Sequence, residues 1–172
     1  MTTRWQVPLL WVGKTVAILT SLATSAQATS VAHLPRIAVR RACFLAPDAD
    51  MLVALDAPYG PADGSFWDEV GDFAGLRVCG VECALDALYV NVPHEVVTLG
   101  ANHIVHIRNN GLFAMRIAAM AGARRLLLLG FDAARYEALH QFRGMAEGLA
   151  ALVAELRTQG VGVDFIEGDY VS

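Results

Sequence analysis

Two short stretches of the chain carry residue types that can hold a ligand. Asn109, Asn110 and Gly111 stand directly before the apolar run Leu112-Phe113-Ala114-Met115. If that run opens a helix, its free N–H groups and its dipole favour an anion such as a phosphate. Asp132 follows Leu126-Leu127-Leu128-Leu129-Gly130. A carboxylate just beyond a parallel strand can accept hydrogen bonds from a ribose or sugar hydroxyl, and Gly130 lets a ligand approach the backbone closely. Each stretch also has a plain structural use: asparagine is a good helix N-cap, and Asp132 can cap a helix starting at Ala133.

The remaining reactive residue types form no recognisable constellation. Of the five histidines, His103 and His106 are three apart, but no third ligand stands at a readable spacing, and no metal is expected. His33, His94 and His140 sit singly, and nothing places a histidine opposite a nucleophile. Gly13-Lys14-Thr15 imitates the end of a phosphate-binding P-loop. Pro8 stands where that loop needs its first glycine, and the tripeptide precedes a strand instead of following one. Cys43, Cys79 and Cys83 are odd in number and lack disulfide or zinc spacing, so they read as small apolar residues in a reducing compartment.

The elements that would position these residues alternate along the chain. Apolar, β-branched runs predict strands at 16–19, 37–39, 51–55 and 76–79, around 88–90, and at 96–99. An alanine- and serine-rich helix follows the first strand, a turn cluster covers 57–64, and a short helix is expected over 66–73. A helix over 112–121 carries Phe113, Ile117 and Met120 on one face and small alanines elsewhere, suited to close packing on a sheet. The short apolar run 126–130 reads as a strand buried on both faces. A long amphipathic helix over 133–157 and a last strand at 161–166 complete the pattern. Strand, helix, strand, helix, strand predicts right-handed crossovers and a three-layer, Rossmann-like α/β fold with a mostly parallel sheet. At 172 residues the chain fits one such domain, with residues 1–14 as an N-terminal extension.

Composition narrows the function classes. Hydrophobic residues make up 55% of the chain and charged residues 17%, more apolar than the globular average. An alanine-rich core accounts for part of this, and a subunit interface would hide the rest. The net charge is −4 and no Lys/Arg run exceeds two residues, so there is no basic stripe for a nucleic acid. No apolar stretch is long enough to span a bilayer. Lys14, the apolar residues after it and Ala26-Gln27-Ala28 imitate a signal peptide. The long apolar segment before Lys14 and the intervening Thr20, Ser21, Thr24 and Ser25 favour a strand and helix in an intracellular protein.

The segment from Ile107-Arg108-Asn109-Asn110-Gly111-Leu112-Phe113-Ala114 to Leu129-Gly130-Phe131-Asp132 resembles a block found in phage morphogenetic ("norphogenetic") proteins. The same block is similar to the nucleotide-binding part of bacterial α2,3-sialyltransferases and related glycosyltransferase-like Rossmann domains. Those families read Asn/Thr-Ser-Gly, a small-residue helix, then a strand ending Gly-apolar-Asp; here Asn110 replaces the serine. Weaker matches cover 13–19, 37–56 and 73–78, so the resemblance runs in patches from about Gly13 to Ile166. It implies a nucleotide or nucleotide-sugar ligand near Asn109, Asn110, Gly111, Gly130 and Asp132, with no other cofactor. Three features depart from the family. Its glycine-rich turn after the first strand is replaced by Thr20-Ser21-Leu22-Ala23-Thr24-Ser25. Arg40 stands where an asparagine reaches the nucleotide, and Asp132 runs into Ala133 without an active-site lid. The expectation is a phage morphogenesis or virion-associated protein on a degenerate, non-catalytic scaffold, in the host cytoplasm or the virion, with virion components or its own copies as partners. The competing expectation is a working glycosyltransferase or small nucleotide-binding protein, in which Arg40 or Arg41 replaces lost phosphate contacts by bidentate bonding.

Overall fold

The computed structural model describes residues 7–54, 66, 69–70, 73–79, 88–89, 109–132 and 145–167. Its elements in chain order are β1 (Thr15–Leu19), α1 (Ser25–Ser30), β2 (Arg36–Val39), a 3₁₀ turn (Arg40–Phe44) and β3 (Met51–Ala54). They continue with β4 (Leu76–Cys79), β5 (Leu88–Tyr89), α2 (Asn110–Met120), β6 (Arg125–Leu129), α3 (Met145–Thr158) and β7 (Gly162–Ile166). The seven described strands form one sheet in the order β5-β4-β3-β2-β1-β6-β7, and every pairing is parallel. The expected three-layer α/β architecture is therefore present, with a sheet more uniformly parallel than the sequence required.

Strand alternation divides the core into two layers. Val16, Ile18, Ile37, Val39, Met51, Val53, Leu126 and Leu128 face α2 and α3, meeting Leu112, Met115, Ile117, Leu152 and Leu156. The intervening residues Ala17, Leu19, Ala38, Leu52, Ala54, Leu127 and Leu129 face the other way, toward Ala28, Val31, Ala42, Phe66 and Phe73. A sheet covered on both faces needs apolar residues at consecutive positions, which is why the strands read as runs and not as alternations. The alanines on the second face leave room for α1 and the 3₁₀ turn to sit close to the sheet.

The segment that imitates a signal peptide is the middle of this sheet. Val16, Ala17, Ile18 and Leu19 are fully buried between β2 and β6, and Gln27 and Ala28 of the apparent cleavage site are buried in α1. Residues 7–14 of the expected extension lie against the body of the domain, with Trp11 buried and its N–H donated to Ala121 O at 2.9 Å. The strand expected at 96–99, the turn cluster at 57–64 and residues 133–144 of the long helix fall outside the described residues, as do His94, His103, His106, His140 and Cys83. Among the described residues, no helix is long and apolar enough to cross a membrane, and no group of three or more metal-ligating side chains occurs.

Candidate functional site

The chain winds outward from β1 to β5 in one direction, then returns to place β6 and β7 on the other side of β1. The reversal lies between β1 and β6, and in open parallel sheets the crevice beyond the carboxyl ends of two such strands is the ligand position. Leu19 of β1 and Leu129 of β6 are paired at that end. The residues that follow them, Thr20 and Gly130, therefore form the lip of the crevice.

That lip is closed by the protein's own turn. Thr20 N–H donates to Leu129 O at 3.0 Å, and the Thr20 hydroxyl donates to Gly130 O at 2.6 Å. The turn then folds back, with Ala23 N–H bonded to Thr20 O at 3.0 Å. Gly130 has φ +76°, and a Cβ there would collide with the Ala23 backbone nitrogen and come within 2.6 Å of the Thr20 oxygen. The glycine thus serves a close approach of backbone to backbone, filling the place where a glycine-rich turn would leave room for a phosphate.

The helix that follows the turn is also satisfied internally. Thr24 and Gln27 form a capping box: the Thr24 side chain accepts from Gln27 N–H at 3.1 Å, and Gln27 Oε1 accepts from Thr24 N–H at 2.9 Å. The same glutamine donates through Nε2 to Ile166 O at 2.9 Å, tying α1 to the end of β7. Two of the donors that would face an anion at this helix start are thereby occupied.

The Asn109-Asn110-Gly111 stretch is where the sequence places it, at the start of α2. Asn109 is the N-cap, its Oδ1 accepting from Leu112 N–H at 3.0 Å, and both asparagines are buried. A Cβ on Gly111 would come within 3.1 Å of the Phe131 ring. Phe131, directly after Gly130, therefore lies close to the first turn of α2, where Asn109 serves as the cap.

A cleft of about 490 Å³ remains beside this lip, lined by Leu22, Thr24, Gln27, Gly130, Phe131, Asp132, Ile166 and Glu167. It brings together Gly130 and Asp132 of the expected site; Asn109, Asn110 and Gly111 are not in its lining. Arg40 is not among the cleft's lining residues; it follows the carboxyl end of β2, with its guanidinium 5.8 Å from the centre of the Phe66 ring. It adopts φ +50°, an uncommon backbone conformation for a residue with a Cβ. Among the described residues the cleft's ionisable groups are two carboxylates, Asp132 and Glu167. Carboxylates of this kind can accept hydrogen bonds from hydroxyl or amine donors.

Thr20, Gln27, Phe131 and Glu167 are the site residues that sequence reasoning missed. Of these only Gln27 carried a local signal, since Thr24-Ser25-Ala26-Gln27 has capping-box spacing. Elsewhere, burial pushes the Cys43 thiol up to about 11, so it is protonated at neutral pH and is not an activated nucleophile. The Arg36 guanidinium, bonded to Asp48 at 2.7 Å, holds that carboxyl below the usual range.

Fold and site together define a class, a Rossmann-like α/β domain whose β1–α1 turn packs on Gly130 at the switch point, beside an open cleft. No protein-family model matches the chain, and no curated protein matches its sequence.

Proposed function

We propose that this chain is a phage morphogenesis or virion-associated protein on a degenerate glycosyltransferase-like scaffold that has lost catalysis. The phage assignment rests on the resemblance carried by residues 107–132. The loss of catalysis rests on one observation: the Thr20–Ala23 turn occupies the crevice against Gly130, secured by the Thr20 hydroxyl on Gly130 O. In this reading the fold supplies shape and apolar surface to an assembly, in the host cytoplasm or the virion, with virion components or further copies as partners.

A thermal-shift series with CMP, UDP and CMP-sialic acid tests it, with Asp132→Ala as control. The expected result is no shift with any of them. A ligand at one hundred times its Kd would stabilise the protein by about 2.7 kcal/mol, and a shift of that order lost in the variant would overturn the proposal. It would favour the second reading, a nucleotide-sugar transferase or small nucleotide-binding protein, for which the open cleft beside Asp132 and Glu167 is the supporting feature.

A further inference from the structure

Four of the six large apolar side chains that stay exposed among the described residues lie at the end of the sheet opposite the cleft. Leu9 is 72% exposed, Val12 65%, Met120 53% and Leu10 40%. They form one ridge because the N-terminal segment is bonded along the end of α2. Trp11 N–H donates to Ala121 O and Gly13 N–H to Gly122 O, each at 2.9 Å. Val12 stands 3.0 Å from where a Cβ on Gly122 would be, and Met120 closes the helix two residues earlier. Together these side chains leave on the order of 400 Å² of apolar surface in water, about as much as a monomer's largest patch and half of one partner's share of a standard interface.

Beside the ridge lies a groove of about 750 Å³. Trp11, Pro35 and Leu76 give it apolar lining, Lys14 adds a cation from the N-terminal segment, and Asp48 and Asp50 add two anions from the loop before β3. Asp48 keeps 73% of its side chain exposed despite its bond to Arg36. A convex apolar ridge next to a groove of similar character, with opposite charges in that groove, is self-complementary. Self-complementarity is the requirement for a two-fold contact, in which the same patch serves both copies.

We propose that a second copy of this chain docks here about a two-fold axis. The Leu9–Val12–Met120 ridge of each copy enters the groove of the other, and Lys14 of each meets Asp48 of the other. The inference goes beyond the closed-crevice reading and does not depend on it: nucleotide binding would sink that reading and leave this one standing.

Sedimentation equilibrium of the full chain across the micromolar range is the test. The expected result is a wild-type protein of twice the chain mass. Leu9→Glu/Val12→Glu should sediment as a monomer with an unchanged circular-dichroism spectrum, its dissociation constant raised roughly a hundredfold or more. Met120→Lys provides an independent variant on another element and should weaken the pair in the same direction. A wild type that stays monomeric throughout the range overturns the proposal and assigns the ridge to a different protein. A pair that survives both variants overturns it too, because the contact then lies elsewhere.

Discussion

Replacing Gly130 by alanine tests the closed crevice most directly. At φ +76° a residue with a Cβ costs about 1 kcal/mol in backbone strain. The added carbon would strike the Ala23 nitrogen and the Thr20 hydroxyl, so the turn must move. Moving it breaks the 2.6 Å bond from Thr20 to Gly130 O, a further loss of about 1 kcal/mol. Displacing backbone in a packed region adds about 1–3 kcal/mol. The expected cost is therefore about 3–5 kcal/mol, measured by urea denaturation. For a domain of this size, with about 2–4 °C per kcal/mol, melting should fall by roughly 10 °C. In a Thr20→Ala background the cost should be about 1 kcal/mol smaller, because the Thr20 hydroxyl, one of the three atoms the new carbon would strike, is gone. A Gly130→Ala protein less than about 1 kcal/mol below wild type would refute the reasoning, since strain alone accounts for that much and the turn could not then be packed on the glycine.

Two other perturbations probe the supports of the site. Gln27→Ala removes half of the capping box and the bond to Ile166 O, and should cost about 1–2 kcal/mol in chemical denaturation, with little change if either contact is absent in solution. Asp48 has its pKa lowered by Arg36, so its contribution is fully present above the unfolded carboxylate pKa of about 3.9. That contribution should fade as pH falls through the lower folded value. Asp48→Asn should weaken the protein at neutral pH by about 0.5–1 kcal/mol, a value held down because the Asp48 side chain is 73% exposed to screening water even though Arg36 is buried and its Nε has no hydrogen-bond partner. The variant should also show a flatter acid limb in a pH series of melting temperatures, and an identical limb would remove the pair from the account.

Much of the fold was legible because doubly buried parallel strands leave an unmistakable trace. Leu126 to Leu129 can be nothing polar when α2 and α3 cover one face and the turn after β1 approaches the other. The Asn109 cap and the strand ending at Gly130 were legible for the same local reason: each depends on residues within a few positions. The order of strands was not, since adjacency of β1 and β6 is a contact across more than a hundred residues. The closed crevice hinges on that adjacency. In sequence Gly130 stands alone; in the fold it also seats the turn after β1, bonded to the Thr20 hydroxyl. The 3₁₀ turn that follows β2, with Arg40 at positive φ and its guanidinium near the Phe66 ring, was not legible either, since no apolar pattern announces such a turn.

At the β7 edge of the sheet, one feature works against association by strand addition. In a parallel pair, successive residues turn their N–H and C=O groups alternately toward the neighbour and away from it. Gly162 N–H bonds to Arg124 O, so Gly162 faces β6 and Val163 faces outward. The outward carbonyl of Val163 accepts from Arg157 Nη2 at 2.9 Å, which removes one of the few acceptors this five-residue edge strand offers to another chain. An exposed edge is the ordinary route by which an apolar α/β protein polymerises, and a charged side chain laid along it is an ordinary defence. With that route blunted at β7, the apolar surplus of the composition has its outlet at the ridge of Leu9, Val12 and Met120. A patch of that kind can close a two-fold pair and stop, where an open edge would add strands without limit.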